Sequence, residues 1–277
     1  MPLITLTSDI GIQDFMPAAI KGQIMQANNS FSIIDITHLL SPFNYPQAAY
    51  VCRNAIKNFP KGTFHLVLIN LFDNKADHVL IAEHNGHFIG CADNGLITMI
   101  LECEPQKVVA IPLNKTQPKS TLVYANVFAK AFSKIAVGEK FDTLGNIDIT
   151  IKIKNPLKPM LGNNWIEGQI IFIDNFENVI VNISKEEFEN HQNGRKFSIV
   201  FKRDEIIEKI SETYADVPEG EKLALFNSAG YLEIAINKGN AAGLFGLQSF
   251  AEKQQKVLQV QFANNHIFYQ TVKVFFE

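Results

Sequence analysis

Residues 64–70, FHLVLIN, constrain the fold of this chain more than any other stretch. The run is too continuously apolar for a strand with one face in water. Near-continuous runs of this kind suit a central parallel strand buried on both faces. A parallel strand needs crossover connections, and its surroundings supply them. Residues 3–6 form a short apolar strand that enters the polar turn Thr7-Ser8-Asp9-Ile10-Gly11. A helix is predicted from near Asp14 through Ala18, Ala19, Ile20, Ile24 and Met25, followed by a strand at 32–36. Asn44 can cap a second helix with Pro46 in its first turn, where a missing N–H costs nothing. Its apolar face is Val51, Cys52, Ala55, Ile56 and Phe59. Strands at 79–83 and 87–91 flank Asn85-Gly86, a strong hairpin signal. A further helix is predicted around 126–135. The pattern is α/β.

The pattern then changes. Residues 152–158 are rich in Lys and Pro, and short strands with turn residues follow, at 166–173, 178–183, 197–201, 222–226, 231–236, 256–263 and 267–276. Regularly spaced short strands indicate a sandwich or barrel. Only 203–213 and 240–250 have helical character. The expected organisation is an α/β domain over 1–155, a linker over 156–165 and an all-β domain over 166–277. A length of 277 residues suits two domains, at roughly 100–200 residues each.

Composition narrows the function. The net charge is -3, and the only arginines are Arg53, Arg195 and Arg203. Nucleic-acid binders carry a basic excess, and arginine is preferred for bidentate phosphate contacts, so no nucleic-acid partner is expected. No run approaches the ~20 apolar residues of a membrane span. The start, MPLITLTSDIG, lacks a basic n-region and a small-residue cleavage site, and it reads as the first strand rather than a signal peptide. Cys52, Cys91 and Cys103 lack CxxC spacing and sit in apolar runs; buried free thiols in a cytoplasmic protein are expected. His84 and His87 straddle the predicted hairpin turn without a third ligand at helical spacing, so no metal site is expected.

Several polar groups fall where ligands bind. In an open α/β sheet that place is beyond the carboxyl ends of the strands. Asp9 and Asp14 frame the first strand–helix turn; Asp9 reads as a ribose-diol acceptor or a turn residue, and Asp14 as a helix cap. The turn lacks GxGxxG and the Walker pattern, so nucleotide phosphates are not indicated. Asp93-Asn94-Gly95 reads as a tight turn. Asp174, Phe176, Asn178 and Asn182 follow an apolar strand and read either as site residues or as turn formers. The segment 227–231, NSAGY, reads as an anion nest or an ordinary hairpin turn. Phe43 and Phe72 sit in loop-like positions where an aromatic can cover a flat ring.

Five segments, in this order, resemble one family: ITLTSDIGIQDF at 4–15, IDITHLLSPFNYPQAAY at 34–50, CADNGLIT at 91–98, IDNFENVIVNI at 173–183 and NSAGYLEIAINKGNAA at 227–242. The chain is similar to the S-adenosylmethionine (SAM) hydroxide adenosyltransferases, which form adenosine from SAM, and to their adenosyl-fluoride and adenosyl-chloride synthase relatives. The resemblance implies a mainly parallel α/β N-terminal domain and a β-barrel-like C-terminal domain. It implies a homotrimer with each site between the N-terminal domain of one subunit and the C-terminal domain of the next. SAM is then substrate or ligand, with no cofactor. Asp9 takes the ribose hydroxyls, and Phe43 and Phe72 are aromatic walls. Asp174 pairs with the methionine ammonium, Phe176 and Asn178 form the adenine loop, and Ser228 meets the methionine carboxylate. Glu177 stands where the family has glycine.

The implied reaction is in-line displacement at ribose C5′, with neutral methionine leaving. Water, with a pKa of about 15.7, needs polarising. The Asp, Arg and His that resemble a water-activating set in the family correspond here to Asn70, Asp77 and Val123, and the family's ProGlyValGly loop to Leu71-Phe72-Asp73-Asn74. Asn70 positions a water without taking its proton. The expected function is SAM hydrolysis, with Asp73, Asp77 or His78 as replacement base. The alternatives are a catalytically impaired SAM or adenosine binder, or an adenosyl-halide synthase; for the last, the extra loop is not evident in the short stretch 95–112.

Overall fold

The computed structural model describes residues 1–73, 77–114, 116–202, 205–247 and 270–277. The strand expected at 256–263 lies outside the described residues. So do the start of the strand expected at 267–276, the end of the helix expected at 240–250 and the first two residues of the 203–213 segment. The chain divides into two compact units, Met1–Pro156 and Leu157–Glu277.

The first unit runs β1 (Leu3–Ser8), α1 (Met16–Ala27), β2 (Ser32–Thr37), α2 (Tyr45–Ile56), β3 (Phe64–Leu68), β4 (His78–His84), β5 (His87–Cys91), α3 (Leu96–Leu101), β6 (Lys107–Pro112) and α4 (Thr121–Ala136). Its sheet has the order β2-β1-β3-β5-β4-β6. β1 is parallel to β2 and β3, and β3 to β5; β4 is antiparallel to β5 and β6. β3 is central, and all five of its residues are buried. Its alternate side chains serve two cores. Phe64, Leu66 and Leu68 pack with Ile20 and Ile24 of α1 and with Phe128 and Phe132 of α4. Val67 packs with Ala48 and Cys52 of α2 and Ile97 and Ile100 of α3. That two-sided burial is why the run is apolar throughout. Asn85 (φ 51°) and Gly86 (φ 82°) form the β4–β5 turn, both in the left-handed region such a turn requires.

Some expectations shift. α4 begins at Thr121 rather than 126, because Ser120 caps it through the Val123 N–H. Phe59 lies beyond the end of α2. Cys52 and Cys91 are buried free thiols, but Cys103 is exposed just past α3, contrary to expectation.

The second unit contains β7 (Met160–Leu161), β8 (Trp165–Ile173), β9 (Val179–Ser184), α5 (Lys185–Gln192), β10 (Phe197–Lys202), β11 (Glu205–Ile207), β12 (Lys222–Phe226), β13 (Tyr231–Ile236), α6 (Ala241–Leu244) and β14 (Thr271–Phe276). The strands pair antiparallel in the order β11-β10-β14-β8-β9-β13-β12, with β7 added beside β8. A bridge between Ile210 and Ala224, with Ser211 N–H to Ala224 O at 2.8 Å, draws the two ends of the sheet together. The result is a nearly closed barrel, which leaves little unpaired edge. Ile166, Val181, Ile199, Ile234 and Val274 fill its interior. Residues 205–207, expected as helix, are strand, and the helix in 240–250 is one short turn at 241–244. Helix α5 was not expected.

Candidate functional site

The sheet order places β1 between β2 and β3, so the chain winds to one side of β1 and then to the other. A crevice opens outside the carboxyl ends of the strands at such a switch point. Asp9 stands there, directly after β1. Its Oδ2 accepts the backbone N–H of Asn70, directly beyond β3, at 2.9 Å. Burial holds the Asp9 carboxyl above its ordinary 3.8, against the pull of the Asn70 and Asp9 N–H groups. Asn70 Oδ1 accepts the N–H of Phe43 at 3.1 Å, so the loop after β2 is tied to the same point. Asn94, after β5, donates from Nδ2 to Ile69 O (3.0 Å) and Asn70 O (3.3 Å). Four strand ends thus converge on Asn70. Asn70 (φ 46°) and Phe43 (φ 63°) are both in the left-handed region, a strain such sites commonly hold.

The chain turns back at once: the Asp73 N–H meets Asn70 O at 3.2 Å. Asp73 and Asn70 both neighbour the Tyr45 hydroxyl, which burial and the Asp73 charge push up to about 12. The Tyr45 hydroxyl and Asn70 Nδ2 are buried without a well-formed hydrogen bond. Phe43 (70% exposed) and Phe72 (52%) flank this polar floor as open aromatic faces. Phe72 is braced edge-on by Tyr124, 5.3 Å between centroids.

Asp77 follows a different line. Its Oδ1 meets His78 Nδ1 at 2.9 Å, and His78 Nε2 meets Asp93 Oδ2 at 3.1 Å. Both ring nitrogens of His78 are thus engaged by carboxylates. Asp93 Oδ1 also accepts the Lys152 N–H at 2.8 Å. Val123 sits in the first turn of α4 and serves its cap.

In the second unit, Asp174 organises the β8–β9 turn. Its Oδ1 accepts the N–H groups of Phe176 (2.9 Å) and Asn178 (2.8 Å), and its Oδ2 accepts Asn178 Nδ2 at 3.0 Å. Glu177 takes a left-handed φ of 64°, a conformation that favours glycine. Its carbonyl accepts the Ala242 N–H at 2.9 Å, which holds the turn against α6. Phe176 and Asn178 line a cavity of about 360 Å³ with Tyr214, Asn237 and Lys238. The Tyr214 hydroxyl donates to Glu233 Oε1 at 2.6 Å. Glu233 is buried, and desolvation together with the nearby Asp174 charge raises its pKa. Ser228 is exposed on the β12–β13 turn, where Asn227 Oδ1 accepts the N–H groups of Ala229 (3.0 Å) and Tyr231 (3.1 Å).

Asp9, Phe43, Asn70 and Phe72 therefore assemble within the first unit, and Asp174, Phe176 and Asn178 within the second. Asp77 bonds to His78. Sequence reasoning missed Tyr45, Asn94, Tyr214 and Glu233. Tyr45 and Asn94 stand beside residues already singled out, and Glu233 is a lone charge inside an apolar strand. Asp93-Asn94-Gly95, read as a tight turn, is buried at Asp93 and Asn94 and ties strand ends together.

Profiles of two domains match the chain. That of the SAM hydroxide adenosyltransferase N-terminal domain covers residues 4–145, and that of the C-terminal domain covers 168–254. An (R)-S-adenosyl-L-methionine hydrolase of Methanocaldococcus jannaschii is 28% identical over 268 residues, spanning 91% of this chain and 95% of that protein. A fluorinase of Nocardia brasiliensis is 24% identical over 291 residues, spanning 92% of this chain and 97% of its own. The crystal structure of an uncharacterized conserved protein from Thermotoga maritima shares the fold, with a TM-score of 0.78 at 23% identity over 99% of both chains. The two profiles together span most of the sequence, and on them this chain belongs to the SAM hydroxide adenosyltransferase family.

Proposed function

We propose that the protein binds SAM and displaces methionine from ribose C5′ with water, giving adenosine and methionine. The observation that supports this most is Asp9 at the switch point. An ionised carboxylate has about four acceptor sites. Two of those on Asp9 face the N–H groups of Asn70 and Asp9 itself. The remaining two match the adjacent hydroxyls of a ribose, and the exposed rings of Phe43 and Phe72 suit flat or sulfonium-bearing groups. In the reaction the water oxygen bonds to C5′, the C5′–S pair passes to sulfur, and methionine leaves neutral. The water proton needs an acceptor.

Asp73 is the best placed of the candidate bases. The carboxylate absent at position 70 reappears three residues on, in a turn that closes on Asn70 itself. Asn70 Nδ2 can orient the water by donating to it. His78 is held between two carboxylates, and Asp77 is engaged by His78. Asp174, Asn178 and Ser228 supply methionine and adenine contacts in this reading. The sites form between the first unit of one subunit and the second unit of the next in a homotrimer. Incubation with SAM, with adenosine and methionine followed by chromatography, tests the proposal. Turnover should exceed the spontaneous rate and fall about 10²–10⁴-fold in Asp73→Asn, the usual effect of losing a general base; no turnover at any pH would sink it.

Asn70 favours one second reading, a nucleoside binder that has lost catalysis. Heat of binding with SAM or adenosine, without product, would single it out.

A further inference from the structure

At the end of the first unit's sheet away from Asp9, a second cavity of about 310 Å³ lies between the last turns of α2 and α3 and the β4–β5 hairpin. Its floor is apolar: Ile56, Ile89, Ile100 and Leu101. Its polar lining is mainly cationic or imidazole, from Lys57, Lys61, His84 and His87, with Arg53, Glu102 and the neutral Asn85 beside them. The one carboxylate in the lining, Glu102, is paired with Arg53 Nη1 at 2.8 Å. The other nitrogens of Arg53 donate to Ile100 O (2.9 Å) and Met99 O (2.5 Å), so the carbonyl end of α3 is capped rather than presented to the cavity.

Lys61 and His87 are held in place. The Lys61 stem lies across the hairpin turn, where a Cβ on Gly86 would stand 3.2 Å from it. His84 Nδ1 is buried without a hydrogen-bond partner. His87 Nδ1 is 3.1 Å from His65 Nε2, and His65 Nδ1 is 2.8 Å from Thr5 Oγ1. That relay leaves the Nε2 edge of His87 for the cavity. Burial, Lys61 and His84 together lower the His87 pKa. The Lys61 charge, which contributes to that lowering, lies on the cavity wall and favours an anion there.

We propose that this cavity binds a small organic anion: an apolar body on the isoleucine and leucine floor, carrying one phosphate or carboxylate group. Lys57 and Lys61 take the charge, and His84 and His87 hydrogen-bond its oxygens. The volume is at the small end of ligand sites, which start at about 300 Å³. The site is distinct from the strand-end crevice and is used by no step of the proposed reaction.

Titration calorimetry of the full chain with phenyl phosphate at low ionic strength tests this. Saturable binding is expected, tighter than for inorganic phosphate. The double variant Lys57→Gln, Lys61→Gln should bind about tenfold or more weakly, as expected for losing charge-assisted hydrogen bonds. Both lysines are exposed, so the variant keeps its core. Asp9→Ala should bind phenyl phosphate as the parent does. No heat, unchanged affinity in the lysine variant, or inorganic phosphate binding as tightly would overturn the proposal. Loss of binding in Asp9→Ala would place the anion in the strand-end crevice and overturn it too.

Discussion

Asp9 carries two opposed demands. Burial favours its protonated form, while a ribose diol needs the carboxylate to accept both hydroxyls. Its folded pKa is raised above 3.8, so adenosine affinity should be full at neutral pH and fall as the pH drops through that raised value. Titrations across acidic pH check this, and Asp9→Asn should bind at least about tenfold more weakly with the pH dependence gone. The stability effect has the opposite sign. Protonation of Asp9 favours the folded state below 3.8, and that contribution is lost as pH rises through the folded value. Asp9→Asn should therefore raise Tm at neutral pH and change it little at pH near 3, the usual exchange between a strained site and stability. At this scale the sequence was legible in part. Asp9 stood out because it follows the first strand. Asn70 stood out only through the family resemblance, and Tyr45 and Asn94 did not, because they reach Asn70 only after three crossovers have brought distant strand ends together.

The elements were most legible where one physical cause dominates. The run at 64–70 has apolar residues on both faces because helices cover both faces of β3. Asn85-Gly86 makes its hairpin because both residues tolerate a left-handed φ. α5 escaped notice for the opposite reason: it is polar on nearly every side, and only Phe188 is buried. Its start is set locally, by a capping box in which the Ser184 side chain accepts the Glu187 N–H at 3.1 Å and Glu187 Oε2 accepts the Ser184 N–H at 2.9 Å. Residues 205–207 carry too few side chains to show a period, and pairing with β10 decides their state. Packing between elements makes a further prediction. A Cβ on Gly90 in β5 would lie 2.8 Å from both Phe128 and Phe132 of α4. Gly90→Ala should cost about 1–3 kcal/mol by overpacking. Chemical denaturation reads the loss directly; unchanged stability would mean that α4 does not sit this close to the sheet.

At the scale of the molecule, each unit has its own core and its own part of the proposed site, the ribose end in the first and the Asp174 turn in the second. The proposed homotrimer with shared sites makes an arithmetic prediction. Asp9→Ala and Asp174→Ala should each be inactive alone. Mixed at random in equal amounts, they should recover about a quarter of parental activity, since a site is intact only when neighbouring subunits differ in the right order. No recovery after subunit exchange would place each site within one subunit. The central claim is that water attacks C5′ of SAM, and isotope incorporation tests it most directly. With SAM in water enriched in the heavy oxygen isotope, the account predicts adenosine labelled in its 5′-hydroxyl, with methionine released in equal amount. Absence of labelled adenosine above the spontaneous background would contradict it.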